Sequence, residues 1–330
     1  MGRDIVRQMH PDEPGKRIRL WHAEEVYDIL TDSKSMQEID AIVVDDMHDS
    51  DYDAVDMTEA FRSMKNLRLL QIRSHNNIRF PEGSNYLPKS LRWLTWEYYP
   101  RPSLPPSFKG NQLVGLELLG SSISELWHGI KFLLRLCFLD LSYSKKLIKT
   151  PDFTGTPSLK ELKLEYCIML VEVHESIGRL DRLSLLSFRS CRKLETLPKS
   201  FWKLKSLRSL DLSGSSILKS PMLMDYRLPF RSDSRMIKVP GSTGVLNNLV
   251  ELDLSSFMNI YHLSSFIKIP SLHNLTFELK PLGRFTLHAL LLDMARKHIR
   301  EVELSESKTS QKSVEDKKES TRPLPRKKGG

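Results

Sequence analysis

The side chains of this chain that could do chemistry are three cysteines, ten histidines and a set of aromatic and acidic residues that return at a regular spacing. Cys137, Cys167 and Cys191 form no Cys-x-x-Cys pair, and their odd count leaves a disulfide framework incomplete. They read as free thiols in a reducing compartment, not as metal ligands. Cys167 and Cys191 occupy the same place in successive repeats, where other repeats carry His75, Tyr99, Ser121, Ser144, Ser215, Phe257 and Lys280. Such a slot turns inward and serves backbone groups, so a buried thiol fits it. Serines and histidines are plentiful, but none forms a nucleophile–base motif such as Gly-x-Ser-x-Gly. Gly15-Lys16 follows Pro14 and precedes Arg17, so it is not a phosphate-cradling Gly-x-x-x-x-Gly-Lys-Ser/Thr loop. No catalytic, cofactor or metal residue is assigned, and the chain reads as a non-enzyme.

The remaining chemistry is recognition. The candidate partner-binding residues are Trp93, Tyr98, Phe138, Asp140, Tyr143, Glu161, Tyr166, Asp211, Glu251 and Asp253. Their grouping follows from the element that carries them. A Leu-x-x-Leu-x-Leu unit appears as Leu67/Leu70/Ile72, Leu91/Leu94/Trp96, Leu113/Leu116/Leu118, Leu136/Leu139/Leu141 and Leu159/Leu162/Leu164. It continues as Leu183/Leu186/Phe188, Leu207/Leu210/Leu212, Leu249/Leu252/Leu254 and Leu272/Leu275/Phe277. A unit returning about every 23 residues specifies a leucine-rich-repeat solenoid, an α/β horseshoe with a parallel sheet on its concave side. Within each unit the leucines point inward, and positions three, five and seven face out of the sheet.

Those outward positions hold Glu97, Glu117, Asp140, Glu161, Glu165, Asp211, Glu251, Asp253 and Glu278 against Arg73, Lys163 and Arg189. The concave face is therefore net acidic, although the whole chain carries +9. Arg68, Arg92, Lys160 and Arg208 at position two soften the value. An acidic face is a poor track for phosphates, so nucleic acid is set aside as a partner. Trp93 and Phe138 share that face, and Tyr98, Tyr143 and Tyr166 sit at position eight beside the strands. Exposed aromatics on a rigid scaffold are good anchors for a protein.

The chain divides by composition. Residues 1–40 are not repeats: 3–8 reads as the end of a helix, 16–21 as a short strand with Ile18 and Leu20 on one face, and 23–30 as an amphipathic helix. Residues 41–64 form a linker and entry to the solenoid, with an apolar strand over 39–44 and a short helix starting at Met57 or Thr58. About nine repeats occupy 65–280, with an insertion near 222–238 ahead of Val239-Pro240. Leu104-Pro105, Thr150-Pro151, Leu197-Pro198 and Ser220-Pro221 mark the convex side. A cap is expected over 281–304, built on a helix from Leu287 to Val302 with Leu290, Leu291, Met294, Ile299 and Val302 on one side. Residues 305–330 are rich in Lys, Glu and Ser and read as a disordered basic tail. Within it, 323–328 is a candidate nuclear-import segment.

Several stretches go beyond a generic repeat. Leu91-Arg-Trp-Leu-Thr-Trp96, Leu126-Trp127-His-Gly-Ile130, Phe138-Leu-Asp-Leu-Ser142, Leu147-Ile-Lys-Thr-Pro-Asp-Phe153 and Leu159-Lys-Glu-Leu-Lys-Leu-Glu-Tyr-Cys167 closely resemble plant intracellular disease-resistance receptors. The class is the one with a Toll/interleukin-1 receptor domain, a nucleotide-binding domain and leucine-rich repeats. Met1-Gly-Arg-Asp-Ile-Val-Arg-Gln8, Arg19-Leu-Trp21 and Glu25-Val-Tyr-Asp-Ile-Leu30 resemble the end of that family's winged helix. The chain thus looks like the C-terminal part of such a receptor. Met47-His48-Asp49 lies too late in the chain to match the family's nucleotide-sensing motif.

The resemblance implies a recognition and autoinhibition region of plant innate immunity and its signal transduction. Its partner would be a pathogen effector, a host guardee or the receptor's own nucleotide-binding domain. No cofactor is expected in this chain, since ADP or ATP would belong to that missing domain. The expected location is cytoplasmic with a nuclear option from the tail, without a membrane. The alternative is a stand-alone truncated adaptor or decoy that binds protein partners without signalling.

Overall fold

The computed structural model of the protein describes residues 18–21, 25–26, 38–45, 57–73, 86–217, 246, 248–255, 271–279, 283–288, 291–293, 295 and 297. These residues build one twelve-stranded sheet whose strands follow chain order. The strands are β1 (Arg19–Leu20), β2 (Ala41–Asp45), β3 (Leu69–Arg73), β4 (Trp93–Trp96), β5 (Gly115–Glu117) and β6 (Phe138–Asp140). They continue as β7 (Glu161–Lys163), β8 (Leu185–Ser187), β9 (Ser209–Asp211), β10 (Glu251–Leu254), β11 (Asn274–Leu279) and β12 (Gly283–Leu287). Every neighbouring pair from β1 to β11 is parallel.

The register explains the leucine spacing. Ile42, Leu70, Leu94, Leu116, Leu139, Leu162, Leu186, Leu210, Leu252 and Leu275 stand beside one another across the sheet. All of them are buried. Slipping one strand by a residue would turn its leucine to solvent and a charged neighbour into the core, so the hydrophobic pattern locks the pairing. Beyond the strands a second ladder runs from turn to turn. Position eight donates its amide to the position-seven carbonyl of the next repeat: Gly120 to Ser142, Tyr143 to Glu165, Tyr166 to Arg189 and Ser190 to Ser213.

The cysteine slot does what its position suggests. Cys167 and Cys191 are fully buried free thiols. Cys167 donates to the Leu141 carbonyl at 3.2 Å, Cys191 to that of Leu164 at 2.9 Å, and Ser144 to that of Leu118 at 3.3 Å. Each side chain satisfies a carbonyl of the preceding repeat.

The convex side departs from an α/β alternation. Among the described residues it is made of extended stretches and two 3-10 turns, Glu175–Arg179 and Lys199–Lys203. A repeat of about 23 residues spends its length on a strand and two bends, which leaves too little for a full helix on the return. Pro198 caps the second turn in extended conformation, as its fixed φ allows. One α-helix, α1 (Met57–Ser63), lies where the sequence placed it.

The two ends differ from expectation. At the N-terminal end, β1 pairs with β2 and so opens the solenoid sheet, although its residues were assigned to the winged-helix segment. Leu20 is buried while Ile18 is 48% exposed, because the strand spans only Arg19–Leu20 and Ile18 lies outside it. Glu25 and Val26 are helical, and Val26 is buried. The expected helix over 3–8, Met47-His48-Asp49, the 222–238 insertion and the 305–330 tail lie outside the described residues. Across the insertion β9 pairs directly with β10.

At the C-terminal end a strand replaces the start of the expected helix. β12 turns back antiparallel on β11, with Leu275 opposite Leu287. Pairing β11's outer edge satisfies amides and carbonyls that would otherwise stand open. The described helical residues begin at Leu291, and the inward one is Leu292, with Leu291 at 49% exposure.

Candidate protein-binding face

The concave face is arranged in rows that run across the strands. Position three carries Trp93, Gly115, Phe138, Glu161, Leu185, Ser209 and Glu251 in register. Position five carries Thr95, Glu117, Asp140, Lys163, Ser187, Asp211 and Asp253. All ten candidate residues lie on this face or its rim, but they form two groups. Trp93, Tyr98, Phe138, Asp140, Tyr143, Glu161 and Tyr166 cluster over β4–β7. Asp211, Glu251 and Asp253 stand apart on β9 and β10.

Gly115 organises the first group. A Cβ there would collide with the Trp93 ring, so only glycine lets the indole lie across the strand. The indole spans the gap to Phe138, with ring centroids 5.6 Å apart and planes tilted by 40°. Its Nε1–H donates to Thr95 Oγ1 at 3.1 Å, and Thr95 donates to Glu117 Oε2 at 2.8 Å. The aromatic row and the acidic row are thus tied into one network, with Thr95 buried beneath it.

The second aromatic row sits at the strand exits. Tyr98, Tyr143, Tyr166 and Ser190 have φ between 55° and 64°, as do Gly120 and Gly214 slightly higher. The turn out of each strand demands left-handed backbone, which glycine takes freely and a tyrosine takes only at a cost of about 1 kcal/mol. Tyr143 and Tyr166 stack face to face, with centroids 4.8 Å apart and planes 6° from parallel. Tyr98 lies against Gly120, whose missing side chain leaves room for the ring. Tyr98 and Tyr143 remain close to half exposed. Gly115 and Gly120 were absent from the sequence-based candidates. Two glycines at positions three and eight of one repeat, flanked by aromatics on both sides, were the available signal.

The acidic residues divide by use. Asp140, Asp211 and Asp253 each accept the amide of the serine two residues on, Ser142, Ser213 and Ser255, at 2.8–2.9 Å. One oxygen of each therefore holds the strand exit in shape. Burial, with Asp253 alongside, lifts the Asp211 carboxyl above its ordinary range, against the opposing pull of Ser213 and Arg189. Glu117 and Glu161 carry no such backbone duty.

An Asp152, His174 and Ser176 grouping on the far side invites comparison with a hydrolytic triad. His174 Nδ1 lies 2.8 Å from Ser176 Oγ and 3.9 Å from Asp152 Oδ1, so both partners meet the same ring nitrogen. A triad needs the imidazole to bridge them through different nitrogens. Ser176 is also buried and accepts the Phe153 amide at 2.7 Å, while His174 caps the 3-10 turn. The group is a cap. Among the described residues no cluster could hold a metal ion, and no helix is long and apolar enough to cross a membrane. The described face does not fit a nucleotide, because Gly120 and Gly214 spend their amides on the ladder and the rows beside them are acidic.

No family model matches the chain. The tobacco mosaic virus resistance protein N of Nicotiana glutinosa is 30% identical over 283 residues, 77% of this chain and 24% of that protein. Disease resistance protein RPS6 of Arabidopsis thaliana is 32% identical over 289 residues, 85% of this chain and 25% of that protein. The chain is a leucine-rich-repeat relative of plant disease-resistance receptors of the Toll/interleukin-1 receptor class. It spans about a quarter of the length of these relatives. RPP2A of Arabidopsis thaliana, another relative with disease resistance in its name, is 31% identical over 80% of this chain. Among solved structures, a leucine-rich-repeat protein of Leptospira interrogans superposes with a TM-score of 0.44 at 18% identity, covering 79% of this chain and 64% of that one. In this disease-resistance relative the rows of the sheet place aromatic and acidic side chains on its concave surface.

Proposed function

We propose that the concave face is the recognition surface of a plant innate immune receptor, engaging a pathogen-derived protein or the receptor's own nucleotide-binding domain. The observation that supports it is the pair of aromatic rows on the sheet, half-buried at Trp93, Phe138 and Tyr166 and exposed at Tyr98 and Tyr143, interleaved with carboxylates. The mechanism is a two-state equilibrium. Contact with the nucleotide-binding domain stabilises the resting form, and a pathogen protein competes for the face and shifts the population. Such a receptor would work in the cytoplasm or nucleus, and ADP or ATP would be held by its nucleotide-binding domain.

The test is a receptor of this class carrying these repeats, with Asp211→Lys, Glu251→Lys and Asp253→Lys introduced together. Expressed in leaf tissue, it should either trigger cell death without a pathogen or fail to respond to one. A variant that accumulates normally and behaves as the parent in both assays would sink this reading.

A further inference from the structure

We propose that the surface over β4–β7 docks an arginine-bearing segment of a protein partner, with guanidinium groups laid on the aromatic rings and paired with Glu117, Asp140 and Glu161. This rests on the concave face being a recognition surface and adds what that surface reads.

Three observations converge there. First, Trp93 and Phe138 at position three and Tyr98, Tyr143 and Tyr166 at position eight form two aromatic rows on opposite sides of Glu117 and Asp140 at position five. Positions three and eight are five residues apart, at most roughly 17 Å of extended chain, and the position-five carboxylates lie between them. Second, the three carboxylates, Glu117 and Asp140 between the rows and Glu161 within the first, are available. Glu117 uses Oε2 to accept from Thr95, and Asp140 uses Oδ1 to accept from Ser142, which leaves Oε1 and Oδ2 open. Glu161 stands next to Phe138 in its row. Among the described residues none of the three is within ion-pair distance of a cation. Third, acid alone is not special to this place. Asp211, Glu251 and Asp253 make an acidic patch on β9 and β10, but beside it the rows hold Ser209 and Gly214 where β4–β7 holds rings.

Rings beside carboxylates suit a cation that is flat, weakly hydrated and able to donate in two directions. Guanidinium is such a group: it stacks on an aromatic face while its N–H fork meets a carboxylate. A lysine ammonium is compact and strongly hydrated, so it gains from the acids but little from the rings. A phosphate-bearing partner is repelled.

The probe is a fluorescein-labelled nona-arginine peptide, compared with nona-lysine, titrated by anisotropy into the full chain. Nona-arginine should bind about tenfold tighter than nona-lysine. Phe138→Ala with Tyr143→Ala should abolish that preference, and Glu117→Gln with Asp140→Asn should weaken both peptides and flatten the salt dependence. Asp140→Asn keeps the acceptor for the Ser142 amide, so this pair tests binding even if the aromatic pair proves unstable. Asp211→Asn with Glu251→Gln, on β9 and β10, should cost nona-arginine less affinity than the Glu117→Gln and Asp140→Asn pair does. Equal affinity for the two peptides, or an equal loss from the β9–β10 pair, would overturn the assignment. So would a severalfold gain on neutralising Arg322, Arg326, Lys327 and Lys328 to Gln, which would make the chain's own tail the occupant. A receptor that loses its response on concave charge reversal yet shows no arginine preference would keep its recognition face and lose only this assignment.

Discussion

A single carboxylate in this molecule can work in either direction, and its surroundings decide which. Asp211 is partly buried beside Asp253, so its folded-state pKa is raised. The folded protein then holds that proton more tightly than the unfolded chain, and stability falls as pH rises from the ordinary carboxylate range through the raised value. Asp211→Asn keeps the acceptor for the Ser213 amide and removes the charge. Its melting temperature should match the parent at pH 3 and exceed it at pH 7. Asp152 has the opposite sign. Burial alone would raise it, but hydrogen bonds from Thr154 and Ser176 and the neighbouring His174 outweigh that and lower it. Asp152→Asn should therefore cost stability at pH 7, with the difference closing as pH falls through the depressed value. Thermal melts of both variants from pH 3 to pH 7 read the two signs in one experiment.

The buried thiols act at the same scale. Burial pushes the Cys191 thiol up to about 12 and that of Cys167 still higher, so neither is a thiolate near neutral pH. A thiol reagent added to the native protein should modify Cys137, which is only partly buried, and leave the other two until denaturant is added. Cys191→Ala would leave the Leu164 carbonyl with only the longer bond from the Cys167 amide and should destabilise by about 0.5–1.5 kcal/mol, whereas Cys191→Ser should recover most of the loss. Denaturant midpoints compare them.

At the scale of the element, the glycines set how closely one repeat lies on the next. Gly178, in the 3-10 turn Glu175–Arg179, faces the Ser200 backbone of the following turn, and a Cβ there has no space. Its obstacle is a carbonyl, which cannot swing aside as a side chain does. Gly178→Ala should cost about 1–3 kcal/mol. Gly115 faces an obstacle that can move, the half-buried Trp93 ring. Gly115→Ala should leave the sheet folded, push the indole off Phe138 and shift tryptophan fluorescence, with a loss of about 0.5–1.5 kcal/mol from the broken ring pair. If Gly115→Ala instead unfolds the chain as readily as Gly178→Ala, the ring is not free to yield.

For the whole molecule, the organising fact is that each repeat touches only its neighbours, so the sheet is a line of contacts and not a ball. The rows on its face are properties of adjacent repeats taken together. Trp93, Gly115 and Phe138 come from three repeats and meet only because three strands pair in register. The leucine spacing determined the parallel sheet, the inward and outward positions and the cysteine slot, because a period of two along a strand and a fixed period between strands leave one register. The helix α1 was legible for the same local reason. What the spacing could not reveal was decided by contacts between repeats. β12 closes an edge that only the assembled sheet possesses, and so displaces the start of the helix expected at Leu287. Asp140, Asp211 and Asp253 look like free surface charges in sequence, yet the turn out of each of their strands brings a serine amide onto one oxygen of each. The choice of an aromatic platform over β4–β7 depended on Gly115 and Gly120, two residues with no side chain of their own, whose effect exists only in the space they leave for a neighbour.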